Sequence, residues 1–365
     1  MRIIVDGTQA GNKSGTGEYT LQLAQWLPSV AQDLEITFAW PVDVPPPSDV
    51  PILPLRRRGP RGLHYLLAKN DWLNRADVIH YPASIGHPGN LARAVVTVHD
   101  VSCLVNPAWF RRHHALYYRA MIARSARRAA MVIADSEATA SDLQQRLAIP
   151  RERIRVIPLG VDTLFRPSPP EDAERVRKRH GLPGKFLLFV GTREPRKNLP
   201  RLVEAFNRIA PEIPHSLVLA GRPGWKDSPL RRALARSEYR DRIITPGFVA
   251  REELPALLTA ADGFVWPSLY EGFGLPPLEA MACGTPVLTS NAASLPEVTG
   301  DAALTVDPEN TADIAAAMKR LVTDMPLREA LREKGLKHVG AFAWQHTAEL
   351  TAEVYRQAFA GSAHL

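Results

Sequence analysis

A chain of 365 residues, 45% hydrophobic and 23% charged, has the composition of a folded globular protein, which excludes intrinsic disorder. Its length exceeds what one core usually supports, so two domains are expected. The only cysteines, Cys103 and Cys283, are far apart and form no C-x-x-C, which excludes a disulfide framework or a cysteine zinc site and suits a reducing cytoplasm. The formal net charge of +7 comes from arginines spread over helical faces, which read as a solvated surface.

The chain opens on RIIVD, an apolar run typical of a buried parallel strand, with no signal-like stretch before it. No apolar run approaches the roughly 18 residues of a spanning helix. A glycine-rich loop, GTQAGNKSGTGEY, then leads into a helical pattern from Tyr19 to Leu27. Strand, glycine loop and helix make the layout of a phosphate-binding turn, although the glycine spacing fits neither the dinucleotide fingerprint nor a P-loop. EITFAW reads as the next strand, and the proline-rich stretch 41–60 as a long loop. Arg56, Arg57, Arg58 and Arg61 follow as a basic cluster. VIHY, AVVTVH and MVIAD are further strands; His99 and Asp100 fall at the carboxyl end of AVVTVH, where open α/β sheets place ligands. Ser136 is a plausible N-cap for a helix from Ala138 to Leu147, and IRVIPLGVD closes the first half.

Between them, the stretch from Pro107 to Arg128 mixes Trp109, Phe110, Tyr117 and Tyr118 with arginines. That pattern describes either a helix packed on a sheet or an amphipathic segment lying on an anionic membrane.

A proline-rich, charged stretch from Asp162 to Pro183 reads as a linker. The alternation then restarts with FLLFV, a helix from Leu199 to Ile209, SLVLA, a helix after Asp227, IITPGF, a helix after Ala250, GFVW, PVLTS and ALTV. A long helical pattern begins near Trp344. Two such series predict an α/β protein of two doubly wound parallel-sheet domains with a ligand cleft between them.

The run PSLYEGFGLPPLEAMACGTPVLTSN carries Glu271, two glycines and a helix start at Pro276 or Pro277, with Glu279 expected in its opening turn. Helix N-termini offer unpaired N–H groups to an anion, and Gly272 and Gly274 let a ligand approach the backbone. After FLLFV, the loop GTREPRKN gathers Arg193, Arg196 and Lys197 beside another helix start, a placement suited to a phosphate or diphosphate.

These segments, with PGFV, LPEVTGDAALTVDP, SGTGEYT, TVHD, IADSEAT and VIPLGVD, resemble the retaining nucleotide-sugar glycosyltransferases of family 4, and in particular bacterial mannosyltransferase-like group 1 members. The resemblance implies the GT-B fold: two Rossmann-like domains facing a central cleft, with residues 1–165 binding acceptor, 166–182 as linker, 183–341 binding the donor, and 342–365 crossing back onto the first domain. It implies that Glu271 contacts donor-sugar hydroxyls, helped by backbone N–H groups of Phe273 and Gly274, that Thr192 and Leu275 also bind the donor, and that Glu279 holds the ribose. Lys197 would neutralise the leaving diphosphate. Many members have Gly-Arg where this chain has Gly191 and Thr192, so Arg196, or failing it Arg193, would supply the second charge. Gly15 and Gly17 would approach the diphosphate, His99 would contact the transferred sugar, and Val249 would face the base.

No D-x-D occurs in the chain, so these cations would replace a metal, and no cofactor is expected. The donor is expected to be GDP-mannose first, with UDP-sugars as the alternative. The acceptor would be a saccharide or lipid-linked saccharide, at the inner membrane face. A same-fold epimerase or hydrolase and a non-catalytic sugar-nucleotide or polyanion binder are the rival readings. A nucleic-acid partner is not expected, because the basic residues are split among several segments and form no recognisable module.

Overall fold

The structure is a computed structural model that describes residues 1–12, 14–47, 50–55, 75–87 and 91–362. Arg56, Arg57, Arg58 and Arg61 lie outside the described residues. The chain divides into two compact units: the first holds Met1–Val105, His113–Gly160 and Ala343–Leu365, the second Asn106–Arg112 and Val161–Phe342.

In the first unit the strands β1 (Arg2–Asp6), β2 (Glu35–Pro41), β3 (Ile52–Leu55), β4 (Val78–Tyr81), β5 (Ala94–Val98), β6 (Met131–Ala134) and β7 (Ile154–Val156) form one sheet in the order β3-β2-β1-β4-β5-β6-β7. All pairings are parallel. β4, β5 and β6 are buried along their whole length, as expected of parallel strands covered on both faces. The helices α1 (Gly15–Val30), α2 (Arg112–Arg128) and α3 (Glu137–Leu147) follow in chain order. Ser136 caps α3 by accepting from the Thr139 N–H, as its sequence predicts. The helix Trp344–Ser362 packs on α1, β4 and β5, so the expected return of the chain to the first domain is observed.

One reading is corrected in this unit. The stretch 41–60 is not all loop, because Ile52–Leu55 pairs with β2 as an edge strand. Alternation there is masked by Pro51 and Pro54, and an edge tolerates proline because one side of the strand needs no partner. IRVIPLGVD contributes β7 over Ile154–Val156, and beyond it a Cβ at Gly160 would lie 2.2 Å from the Trp344 nitrogen.

The second unit contains β8 (Phe186–Val190), β9 (Ser216–Ala220), β10 (Ile243–Gly247), β11 (Gly263–Trp266), β12 (Val287–Ser290) and β13 (Ala303–Val306), again all parallel, in the order β10-β9-β8-β11-β12-β13. Its helices include α4 (Pro170–Arg179), α5 (Leu199–Ile209), α6 (Ser228–Arg236), α7 (Leu254–Ala260), α8 (Leu275–Ala282) and the short α9 (Leu295–Thr299). α5 buries Leu199, Leu202, Val203, Phe206 and Ile209, the single stripe that its period dictates. The stretch 166–182, expected as a linker, lies inside this unit. α4 buries Val176 and packs on α7, and the Ser168 N–H donates to Thr259 Oγ1 at 3.1 Å.

Both sheets reverse their strand order once, between β1 and β4 in the first and between β8 and β11 in the second. Loops leaving the carboxyl ends of strands on either side of such a reversal splay apart and leave a crevice.

Candidate active site

In the second unit the loop after β8 carries Arg196 and Lys197, and the loop after β11 carries Glu271; these strands flank the reversal. Lys197 Nζ donates to Glu271 Oε1 at 2.6 Å, and Arg196 Nη1 donates to Glu271 Oε2. Arg196 also donates to the Tyr270 carbonyl at 3.1 Å, and its Nε pairs with Glu194 Oε1 at 2.7 Å. Lys197 Nζ lies 4.2 Å from the centroid of the Trp266 ring. Two acids and two bases thus compensate one another in a nearly dry site: Glu194, Lys197 and Glu271 are all buried.

Burial by itself would raise the Glu271 carboxyl, but Arg196 and then Lys197 overcome it and hold it at about 2. Burial followed by Arg196 pushes the Lys197 ammonium below its ordinary range, against the pull of Glu271 and Glu194. The loop that sets Lys197 ends on Asn198 in the left-handed region, φ 61°. Asn198 Nδ2 holds this backbone in place by donating to the Pro267 carbonyl at 3.1 Å and the Pro308 carbonyl at 2.6 Å. Its side chain therefore ties the β8 loop to the segment that leads to Glu271.

Gly274 precedes α8 with φ 117°, a conformation that favours glycine, and a Cβ there would come within 2.8 Å of Leu295 Cδ2. Buried Ser294 lies with its hydroxyl 3.0 Å from the Glu271 carbonyl and 2.7 Å from that of Phe273, fixing the turn that presents Glu271. Phe273 is buried and Leu275 is the first residue of α8. α8 starts at Leu275, one residue before Pro276 and two before Pro277, the expected starts, so Glu279 lies beyond its first turn and both prolines lie inside that turn.

Thr192 and Arg193 follow β8, with the Arg193 N–H donating to the Arg222 carbonyl at 3.0 Å. Arg193 helps line a cavity of about 190 Å³ with Glu194, Asn198, Lys226 and Asp227. It is Arg196, the favoured choice, that joins the Glu271 cluster. Val249 is buried just past β10, whose last residue Gly247 has φ 84°.

Asn106–Arg112 clusters with this unit. Trp109 O accepts from Trp225 Nε1 at 2.7 Å, the Phe110 ring stacks on Trp225 with centroids 5.8 Å apart, and the Trp109 ring lies 6.4 Å from Tyr270, the neighbour of Glu271. Of the aromatic and basic stretch, Trp109 and Phe110 are therefore engaged by protein. Leu116, Tyr117 and Tyr118 on α2 are exposed.

His99 belongs to the first unit, immediately after β5. Its Nδ1 meets Asp135 Oδ2 at 2.7 Å and its Nε2 meets the Pro82 carbonyl at 2.8 Å, while Tyr19 stands edge-on to the ring at 4.9 Å. Burial opposes its protonation, but Asp135 raises the ring above its ordinary value. Gly15 begins α1 with open space where a Cβ would be. A Cβ on Gly17 would lie 1.8 Å from the Asn12 carbonyl, so only glycine fits.

Sequence reasoning missed Glu194, Asn198, Trp266, Ser294 and Asp135. Glu194 sits between two arginines in GTREPRKN, and an acid buried among cations was a readable signal; Ser294 and Trp266 carry no local pattern. Among the described residues no group of three or more His, Cys, Asp or Glu gathers as metal ligands do, and no helix is long and apolar enough to cross a membrane.

Comparison with known proteins accords with this geometry. Residues 13–165 match the family described as Glycosyltransferase Family 4, and residues 171–338 the one described as Glycosyl transferases group 1. The chain is 34% identical to the O-antigen chain mannosyltransferase B of Escherichia coli, over 77% of this chain and 74% of that one. Among solved structures, a sucrose-phosphate synthase from Thermosynechococcus elongatus superposes with a TM-score of 0.78 at 22% identity, over 99% of each chain. HepE from Anabaena, in complex with UDP and glucose, does so with a TM-score of 0.76 at 19% identity, over 98% of this chain and 100% of that one. Two Rossmann-like parallel-sheet units, the buried Glu271 cluster and these matches together place the chain in the family 4, group 1 glycosyltransferases.

Proposed function

We propose that the protein moves a hexose, in the first instance mannose from GDP-mannose, from a nucleotide-diphosphate sugar to a saccharide or lipid-linked saccharide with retention of anomeric configuration, in polysaccharide biosynthesis. The observation that carries this reading is the Arg196–Glu271–Lys197 cluster beside the start of α8. The relative named for O-antigen mannosyl transfer favours mannose; the UDP in the HepE complex keeps UDP-sugars as the alternative.

Breaking the bond between C1 and the diphosphate oxygen builds negative charge on the leaving group. Lys197 and Arg196 are fixed cations for that charge, and because they supply it themselves no metal is required. Both are already paired with Glu271, so an arriving diphosphate competes with the carboxylate for them. Glu271 then turns its oxygens to sugar hydroxyls. Glu279 and Val249 would serve the ribose and base; Thr192, Arg193, Phe273, Gly274 and Leu275 would line the donor; Gly15, Gly17 and His99 are the first unit's contributions.

The test is transfer from radiolabelled GDP-mannose and UDP-glucose to oligosaccharide and polyprenyl-linked acceptors with EDTA present, with the product's anomeric coupling read by NMR. An α-linked product formed in EDTA from one of these donors is expected. Inversion, dependence on added magnesium, or sugar release without acceptor would overturn the corresponding part.

We also infer contact with an anionic membrane through α2, where exposed Leu116, Tyr117 and Tyr118 accompany exposed Arg112 and Arg119, with exposed Arg111 just before the helix. Co-sedimentation with phosphatidylglycerol vesicles should be lost in Arg112→Glu/Arg119→Glu; equal binding by the variant would remove this inference.

A further inference from the structure

Both ring nitrogens of His99 face atoms that can share a hydrogen only by accepting it or holding it between them: Asp135 Oδ2 at Nδ1 and the Pro82 carbonyl at Nε2. A carbonyl oxygen cannot donate, so Nε2 carries hydrogen. The Nδ1 contact, at 2.7 Å to a carboxylate, likewise needs a proton in the gap. No lone pair on the ring is left for a ligand. Asp135 is 1% exposed and its other oxygen, Oδ1, is buried with no hydrogen-bond partner among the described residues. The His99 proton is therefore its main compensation, and removing that proton would strand a buried carboxylate.

The other groups around the ring do not disturb this arrangement. Asp100, next in the chain, adds negative charge. From α1, Tyr19 presents a ring edge, with its hydroxyl turned to Thr97 Oγ1 at 3.1 Å. From β4, His80 is bonded to Thr97 Oγ1 at 2.8 Å and to the Tyr355 hydroxyl at 2.7 Å, and burial keeps it neutral.

We propose that Asp135 is a positioning residue that, with the Pro82 carbonyl, keeps both His99 ring nitrogens protonated, so that His99 meets the transferred sugar as a fixed, positively polarised ring and never as a proton donor or acceptor. Its service to the sugar is taken from the function proposed above; its protonation is not.

Two measurements separate these. In protein labelled with ¹⁵N-histidine, and with the His99 signals assigned by their loss in His99→Gln, both ring nitrogens should keep N–H character above pH 6.5, where an ordinary histidine has lost one proton. Loss of a proton with a midpoint near 6.5, the ordinary value for histidine, would overturn the proposal whether or not transfer is found. In the transfer assay, wild type should show no limb from His99. Asp135→Asn should retain kcat near pH 5.5 and lose about tenfold or more by pH 8, as a ring freed of the carboxylate deprotonates, and Asp135→Glu should restore the flat profile. A pH profile unchanged in folded Asp135→Asn would also overturn it. Should that variant fail to fold, the wild-type titration decides alone. Absence of transfer from every donor would remove the proposed function and leave the titration standing.

Discussion

The residue that organises the second unit is Glu271, and what marks it is the pair of cations it holds. Removing one partner of a buried ion pair typically costs roughly 3–5 kcal/mol, because the other is left uncompensated. Lys197→Ala should therefore lose stability as well as about a hundredfold or more in kcat, whereas Lys197→Met, which still covers Trp266, should lose the same activity with a smaller drop in melting temperature. Calorimetry and transfer assays on the two variants check this; near-normal turnover in a folded Lys197→Met would remove the site assignment. The pH dependence has a definite sign. Glu271 is held at about 2, so its contribution is full above 4.5 and lost as pH falls toward 2. Burial pushes His80 down to about 3, so its contribution is full above 6.5 and lost as pH falls to 3. Both losses lie on the acid side, and urea midpoints should fall steadily from pH 6.5 to 3. In His80→Gln the part of that slope between 6.5 and 4.5 should flatten. Glu271, Lys197 and Arg196 were legible because their residue types stand at strand ends beside helix starts. Asp135 was legible only as the last residue of MVIAD, since nothing local tells that a strand-end acid will meet a histidine 36 positions earlier.

Among the elements, most strands and helices follow from apolar runs punctuated by glycine and proline, and the length of α5 was read to the residue. The edge strand β3 was hidden because its alternation is broken by the prolines that protect an edge. The first turn of α8 was misplaced by one or two residues because proline marks a helix start only approximately. That turn depends on Gly274. Gly274→Ala forces a Cβ into a left-handed conformation and against Leu295, and is expected to cost about 1–3 kcal/mol. Because the turn presents Glu271, transfer should fall with stability; a melting temperature equal to wild type would show the turn can adapt. Tyr355→Phe leaves the buried His80 Nδ1 without its partner, at an expected cost of about 1–3 kcal/mol, measurable by urea unfolding.

For the whole molecule, the two sheets and their helices could be read from the order of elements, but the grouping could not. Asn106–Arg112 joins the second unit although its flanks belong to the first, and residues 166–182 belong to the second unit although their prolines look like a connector. Both depend on aromatic and backbone contacts between positions distant in sequence. A nucleotide that binds only the folded protein stabilises it by roughly 2.7 kcal/mol at a hundredfold excess over Kd. GDP or UDP should therefore raise the melting temperature by a few degrees in wild type and by much less in Lys197→Met; equal shifts in the two would place the diphosphate elsewhere.

The helix Trp344–Ser362 carries a further consequence. The second unit is built mainly from one unbroken stretch, Val161–Phe342, whereas the first recruits residues from both sides of it. On a ribosome the sheet β1–β7 emerges early, yet Tyr355, which satisfies buried His80, is made only after the whole second unit has been synthesised. During that interval the first unit waits with a polar core position unfilled and the face of α1 that the helix covers bare to solvent. Vectorial synthesis thus favours the reverse of chain order, with the later unit settling first and the earlier one locking when its last helix arrives.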